Sequence, residues 1–160
     1  MNPSKTGLNA IALISIVAVA IALLSQHVWN MPPCAWCVFQ RLIYLVIAVV
    51  AWLGVAGNPK LTRAMALLVV VLAIGGALSA WYQYDVAAQQ FSCDLTFADR
   101  FITGSGLEAA IPWLFGIYAT CMDARVTIFG VEYAILSLIL YLVIAALALR
   151  TAAPAPSKHT

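Results

Sequence analysis

The sequence predicts an all-α membrane protein, a bundle of four transmembrane helices with both termini cytoplasmic and a short interfacial helix in a long second outer loop. Three observations predict it. Apolar residues make up 64% of the 160 residues and charged residues 9%, against roughly 45–50% and about 25% in soluble proteins. So few charges cannot cover a globular surface, so most of that surface must face lipid. Four apolar runs approach or reach the length of about 20 residues that a spanning helix needs. The Lys and Arg residues also segregate between the connections in the sense that orients a membrane protein. The net charge of +2, with no basic run, excludes a nucleic-acid phosphate backbone as partner.

In chain order, residues 8–28 form the first span. The run is broken only by Asn9, Ser15, Ser25, Gln26 and His27, and it exceeds the roughly 7–15-residue apolar core of a signal peptide. Asn30 to Pro33 breaks it. The second span covers about 38–56, ended by Gly57, Asn58 and Pro59. The third covers 64–84, where Gly75-Gly76 permits close helix approach. The connection 85–130 carries five of the six acidic residues. Its part from Leu107 to Tyr118 is apolar but too short and broken to span, and reads as lying on the membrane surface. The fourth span is 131–149, and the Pro/Ala-rich tail 151–160 is expected to be disordered. The whole of 1–160 reads as a single membrane domain.

Four spans put both termini and the 56–63 turn on one side. That side carries Lys5, Lys60, Arg63, Arg150 and Lys158 and no acidic residue, while the other carries Arg41, Arg100, Arg125 and all six acids. The excess of Lys and Arg marks the cytoplasmic face. Trp29, Trp36, Trp81 and Trp113 fall near the opposite boundary, as an interface belt does.

All four cysteines, Cys34, Cys37, Cys93 and Cys121, then face the outside in loops 29–37 and 85–130. An even set of thiols facing an oxidising compartment suggests disulfides. Four cysteines allow three pairings. The short spacing favours Cys34–Cys37, leaving Cys93–Cys121. A bridge stabilises by closing a long loop, and Cys34–Cys37 closes almost none. Cys-x-x-Cys is instead the spacing of redox dithiols, where one thiol attacks and its neighbour resolves. Pro32 and Pro33 suit a helix start, which puts Cys37 in the first turn of the second span, at the positive end of its dipole. Arg41 lies one turn further on the same face. Both effects favour the thiolate at Cys37.

Arg41 at the edge of the hydrocarbon region either serves function or snorkels to the headgroups. Metal is not expected, because structural zinc sites draw on two close cysteine pairs, and Cys93 and Cys121 have no close partners. His27 reads as a cap on the first span.

Gln26-His27-Val28, Pro33-Cys34-Ala35-Trp36-Cys37-Val38-Phe39-Gln40-Arg41, and Cys121 followed by Phe129-Gly130-Val131-Glu132 resemble the disulfide bond formation protein B (DsbB) family, thiol oxidases of the bacterial inner membrane. The resemblance covers nearly the whole chain. It implies that the outer loops are periplasmic and that the chain works as a relay. A reduced, periplasmic thioredoxin-fold dithiol oxidase (DsbA-like) attacks the Cys93–Cys121 disulfide. Cys93 takes the mixed disulfide, and the released Cys121 attacks the Cys34–Cys37 bridge at Cys34. The Cys37 thiolate then donates to a membrane quinone, ubiquinone or menaquinone, with Arg41 polarising a quinone oxygen.

Members of the family often have a histidine near the outer end of the third span, where this chain reads Trp81-Tyr82-Gln83-Tyr84. Gln83 or Tyr84 is expected to donate a hydrogen bond in its place. Two other readings compete: a membrane scaffold with two structural disulfides, and a dedicated or vitamin K epoxide reductase-like relative. The latter usually has its Cys-x-x-Cys after the loop cysteines.

Overall fold

The computed structural model describes residues 3–89 and 96–153. Four long helices dominate it: α1 (Pro3–Val28), α2 (Ala35–Ala56), α3 (Pro59–Asp85) and, at the end of the chain, α7 (Tyr133–Ala152). All four are long and apolar enough to cross a membrane. The connection from α3 to α7 holds a 3-10 turn (Ala87–Gln89) and three short helices, α4 (Phe97–Gly104), α5 (Leu107–Ala110) and α6 (Pro112–Phe115), where the sequence suggested one.

Local chemistry sets the boundaries. α1 stops before Asn30, which takes φ 50°, a left-handed conformation that asparagine tolerates. Pro32 and Pro33 stay outside α2, and Cys34 occupies the N-cap with extended backbone. α3 begins at Pro59 rather than near 64, because Asn58 caps it by accepting from the Leu61 N–H at 2.9 Å and proline is at home in a first turn. A capping box between Thr96 and Asp99 starts α4.

The helices pack in a ring, α1 on α2, α2 on α3, α3 on α7 and α7 on α1. Leu8, Ile11, Ile47, Val69, Tyr141 and Ile144 are fully buried inside it. The rings of Tyr44 and Tyr141 stack at 4.2 Å. Gly76 faces Tyr141, whose ring a Cβ there would overlap, while Gly75 faces open space. Leu13 and Val17 of α1, Val49 and Leu53 of α2, Val71 and Leu78 of α3, and Ile139 and Leu142 of α7 point outward, an apolar rim suited to lipid.

At one end, α4 to α6 fold over the start of α2. Ile102 and Phe115 are buried against Val38, and Phe39 meets Phe97 and Phe101 edge-on at 5.9 and 5.5 Å. Part of the apolar face of this connection is thus spent on α2, while Phe97, Phe101 and Trp113 stay exposed.

A hairpin absent from the sequence reading precedes α7. β1 (Thr127–Ile128) pairs antiparallel with β2 (Val131–Glu132). Phe129 and Gly130 form the turn at φ 51° and 82°, the two positive φ values of the tightest hairpin loops. Arg125 pairs with Glu132 beside it, and the last helix starts at Tyr133 rather than 131.

The two glycines of α3 separate close packing from mere smallness. Gly76→Ala is expected to lower the unfolding midpoint in detergent, at a cost of about 1–3 kcal/mol. Gly75→Ala, which meets open space, should hold or slightly raise it, since Ala is the better helix former. Equal midpoints for the two variants would contradict the approach of α3 to Tyr141.

Candidate functional site

The N-terminal end of α2 gathers three of the four cysteines. Cys34, at the N-cap, is fully buried. Cys37 sits in the first turn, among backbone N–H groups that have no intrahelical acceptor. Both are thiols, with Sγ atoms 3.1 Å apart. Cys121 packs against the same cluster, with Ile117 and Ala124.

Two features hold Cys121 there. The Tyr118 N–H donates to the Pro33 carbonyl at 3.0 Å, stitching the connection between α3 and α7 to the residues just before Cys34. The turn that carries Cys121 is closed by Thr120, whose hydroxyl donates to Asp123 at 2.7 Å and accepts from the Asp123 N–H at 3.2 Å. Cys93 lies outside the described residues, and with it the expected Cys93–Cys121 pair. Burial raises the Cys34 thiol well above its ordinary pKa, and the neighbouring Cys121 and Cys37 thiols add to the rise. A buried thiol in apolar surroundings stays protonated.

Arg41 is 5% exposed, so it turns inward and does not snorkel. Its Nη1 donates to Gln26 Oε1 at 2.6 Å and to the Leu114 carbonyl at 3.1 Å, and its Nη2 to the Ala22 carbonyl at 3.3 Å. Nε is buried and has no partner among the described residues. Among those residues the one ion pair is Arg125–Glu132, so Arg41 is a buried cation without a carboxylate.

Beside Cys37 and Arg41 lies a cavity of about 270 Å³, walled by α1, α2, α3, α7 and the connection before α7. Its polar side is Cys37, Gln40, Arg41, Gln83 and Tyr133, and residues such as Ile21 and Leu140 supply the apolar remainder. This is the composition of small-molecule sites, mostly apolar with a few placed polar groups.

Gln83 lines this cavity, and its Nε2 donates to the Cys37 sulfur at 3.2 Å. Tyr84 does not reach it. It borders a smaller adjoining recess, which Cys37 and Gln83 also line, with Cys121, Arg125 and Glu132, and its ring lies 6.1 Å from Trp81. His27 bonds the Trp113 carbonyl at 3.2 Å, joining α1 to α6. Gln40, Ser137 and Tyr44, given no role from the sequence, form a largely enclosed polar seam with Gln83, half-buried at Ser137. Polar side chains inside apolar spans were the available signal.

A family profile described as "Disulfide bond formation protein DsbB" matches residues 4–151. The chain is 29% identical over 153 residues to a disulfide bond formation protein B of Herminiimonas arsenicoxydans, covering 95% of this chain and 97% of that protein. It is 35% identical over 112 residues to one of Pseudoalteromonas atlantica, covering 68% and 66%. With one of Burkholderia pseudomallei it shares 28% over 137 residues, covering 84% and 81%.

The burial of Cys34 has a measurable consequence. In the fully reduced chain, Cys34 should alkylate more slowly than Cys121 at pH 7. Its rate should climb only at alkaline pH above the ordinary thiol range, since a raised pKa keeps the thiol protonated as pH rises. Site-resolved mass spectrometry after iodoacetamide reads both rates, and equal rates at pH 7 would contradict the burial.

Proposed function

The chain belongs to the disulfide bond formation protein B family, and we propose that it reoxidises a periplasmic DsbA-like dithiol protein and passes two electrons to a membrane quinone. Membership and the four candidate spans make it a multi-pass membrane protein of disulfide bond formation with a thiol–disulfide oxidase role. The observation that carries the finer reading is the placement of Cys121 against Cys34, with Cys37 opening on a cavity walled by Arg41.

The proposed setting is the bacterial inner membrane, with the termini cytoplasmic and the cysteines periplasmic. The excess of Lys and Arg on the terminal side supports this. So does the bond from Lys5 Nζ to the Gly57 carbonyl, 2.9 Å, which joins the N-terminal segment to the turn between α2 and α3 at the end away from the cysteines.

The reaction is a series of thiol–disulfide exchanges. A thiolate of the reduced partner attacks the Cys93–Cys121 disulfide at Cys93, and Cys121 leaves as a thiolate. The partner's second thiolate resolves the mixed disulfide, so the partner leaves oxidised and two electrons stay in the chain. Cys121 attacks Cys34 in the Cys34–Cys37 disulfide, forming Cys34–Cys121 and releasing Cys37 as a thiolate. The Gln83 N–H aimed at Cys37 and the Arg41 charge nearby stabilise that leaving sulfur. Attack by Cys93 on Cys121 would restore the loop disulfide and free Cys34, leaving both electrons on the Cys34/Cys37 pair.

A membrane quinone, when bound, accepts two electrons and two protons. The cavity fits such a group on two counts. Its walls are mostly apolar, as a ring on a hydrocarbon chain requires, and the Arg41 guanidinium and Gln83 amide supply donors at its polar side. Arg41 and Gln83 are the residues that would hold the ring oxygens. Their remaining bonds, to Gln26 and Gln40, fix both side chains in place. Tyr84, outside the cavity, is dropped from the proposed set.

The test mixes the purified chain with a reduced DsbA-like protein and a short-chain quinone and follows quinone absorbance. The parent should consume quinone and Cys37→Ser should not. Loss of quinone absorbance that survives Cys37→Ser would overturn the mechanism, and no consumption by the parent would overturn the function. Arg41→Lys keeps the charge but loses the planar fork. It should raise the apparent KM for quinone about tenfold with a smaller effect on kcat. An unchanged KM would remove Arg41 from the quinone site.

A further inference from the structure

We propose that Ser137 is a positioning residue for Cys37: through Gln40 it fixes the Gln83 amide so that Nε2–H, not Oε1, faces the sulfur. The proposal rests on the reading of Cys37 as the reactive thiolate and extends it to residues that do not touch the sulfur.

The observation is a directed series of hydrogen bonds across three helices. Ser137 of α7 donates from Oγ to Gln40 Oε1 at 2.6 Å. Gln40 of α2 donates from Nε2 to Gln83 Oε1 at 2.7 Å. Gln83 of α3 donates from Nε2 to Cys37 Sγ at 3.2 Å. The Tyr44 hydroxyl lies 3.1 Å from Ser137 Oγ, at the head of the series. Gln40 and Gln83 are 5% and 7% exposed, so water competes little for their amides.

A primary amide has a donor end and an acceptor end of the same shape, so packing alone does not choose between them. Hydrogen bonding does. With Oε1 of Gln83 accepting from Gln40, its Nε2 must face Cys37. If Gln83 turned over, its carbonyl oxygen would face the sulfur, repelling a thiolate, and its NH2 would face the NH2 of Gln40. Gln40 is oriented in turn because the Ser137 proton is delivered to its Oε1. The Tyr44 hydroxyl donates to the Ser137 carbonyl at 3.3 Å, and the one proton of Ser137 goes to Gln40 Oε1, its nearer neighbour at 2.6 Å against 3.1 Å for the Tyr44 oxygen. Each bond polarises the next in the same sense, so the seam collects donor character at Cys37. Without Ser137, both amides can turn over together at little cost.

The test uses the full-length reduced chain in detergent, with neither partner nor quinone added, so its failure is distinguishable from failure of the proposed oxidase activity. Iodoacetamide labelling at pH 7 is followed residue by residue with mass spectrometry. Ser137→Ala should slow labelling of Cys37 about three- to tenfold and leave Cys121 unchanged, and Ser137→Thr, which keeps the hydroxyl, should restore the rate. Gln83→Ala should slow Cys37 at least as much, and adding Ser137→Ala to it should slow it no further, because the two act through one amide. Unfolding midpoints are read alongside. If Ser137→Ala does not fold, Gln40→Met, close in size and without an amide, should give the same slowing. A parental Cys37 rate in whichever of these two variants folds, equal slowing by Ser137→Ala and Ser137→Thr, or losses that multiply in the double variant would each overturn the proposal.

Discussion

A guanidinium enclosed by the helix bundle, with no carboxylate to meet it among the described residues, is the constraint on which the rest of the site depends. Taking such a charge out of water costs several kcal/mol unless its protons find acceptors. Arg41 finds them in three places at once: Gln26, the Ala22 carbonyl and the Leu114 carbonyl. Those acceptors belong to α1 and to α6. The cation of α2 therefore fastens the first helix and the connection between α3 and α7 to the second helix, and His27 adds a second tie between α1 and α6. The polar wall of the cavity and the lid of short helices over α2 are two sides of one set of hydrogen bonds.

That fastening also arranges the sulfurs. The α4–α6 segment is held on the start of α2 by Ile102, Phe115 and the Phe39 contacts, and the chain beyond it returns past Pro33 through Tyr118. Cys121 arrives at Cys34 on this track, carried in a small capped turn rather than on a long helix. The two members of the Cys-x-x-Cys pair then differ in surroundings although three residues apart. Cys34 is enclosed among apolar neighbours and Cys121, while Cys37 faces the cavity and a hydrogen-bond donor. In exchange chemistry, a sulfur whose negative charge is stabilised is the better leaving group, so this asymmetry gives the pair a direction from Cys34 to Cys37.

Much of this was legible in the residues. Hydropathy and length gave the four spans, and the proline pair followed by Cys-x-x-Cys put Cys37 in a first turn with Arg41 one turn on. What was missed has physical causes. Asn58 and Pro59 read as the end of one helix, but they are the cap and first residue of the next. The strands at 127–128 and 131–132 are two residues long, too short for any alternation to show, and Phe-Gly is a weak turn signal beside Asn-Gly. Gln83 and Tyr84 were indistinguishable in sequence. Successive residues on a helix point about 100° apart, and Gln83 alone of the two lines the larger cavity and bonds the Cys37 sulfur. The seam from Ser137 through Gln40 to Gln83 joins residues up to 97 positions apart, and no local pattern announces such a meeting.

In the proposed relay, electrons enter at the Cys93–Cys121 pair, pass from Cys121 to Cys34 and leave from Cys37. Disulfide mapping of the full-length Cys37→Ser chain, oxidised and digested without reduction, tests it most directly. With the exit sulfur removed, Cys34 can bridge only to a loop cysteine, and the account predicts a Cys34–Cys121 linkage with Cys93 free. A bridge from Cys34 to Cys93 in place of Cys121 would contradict it.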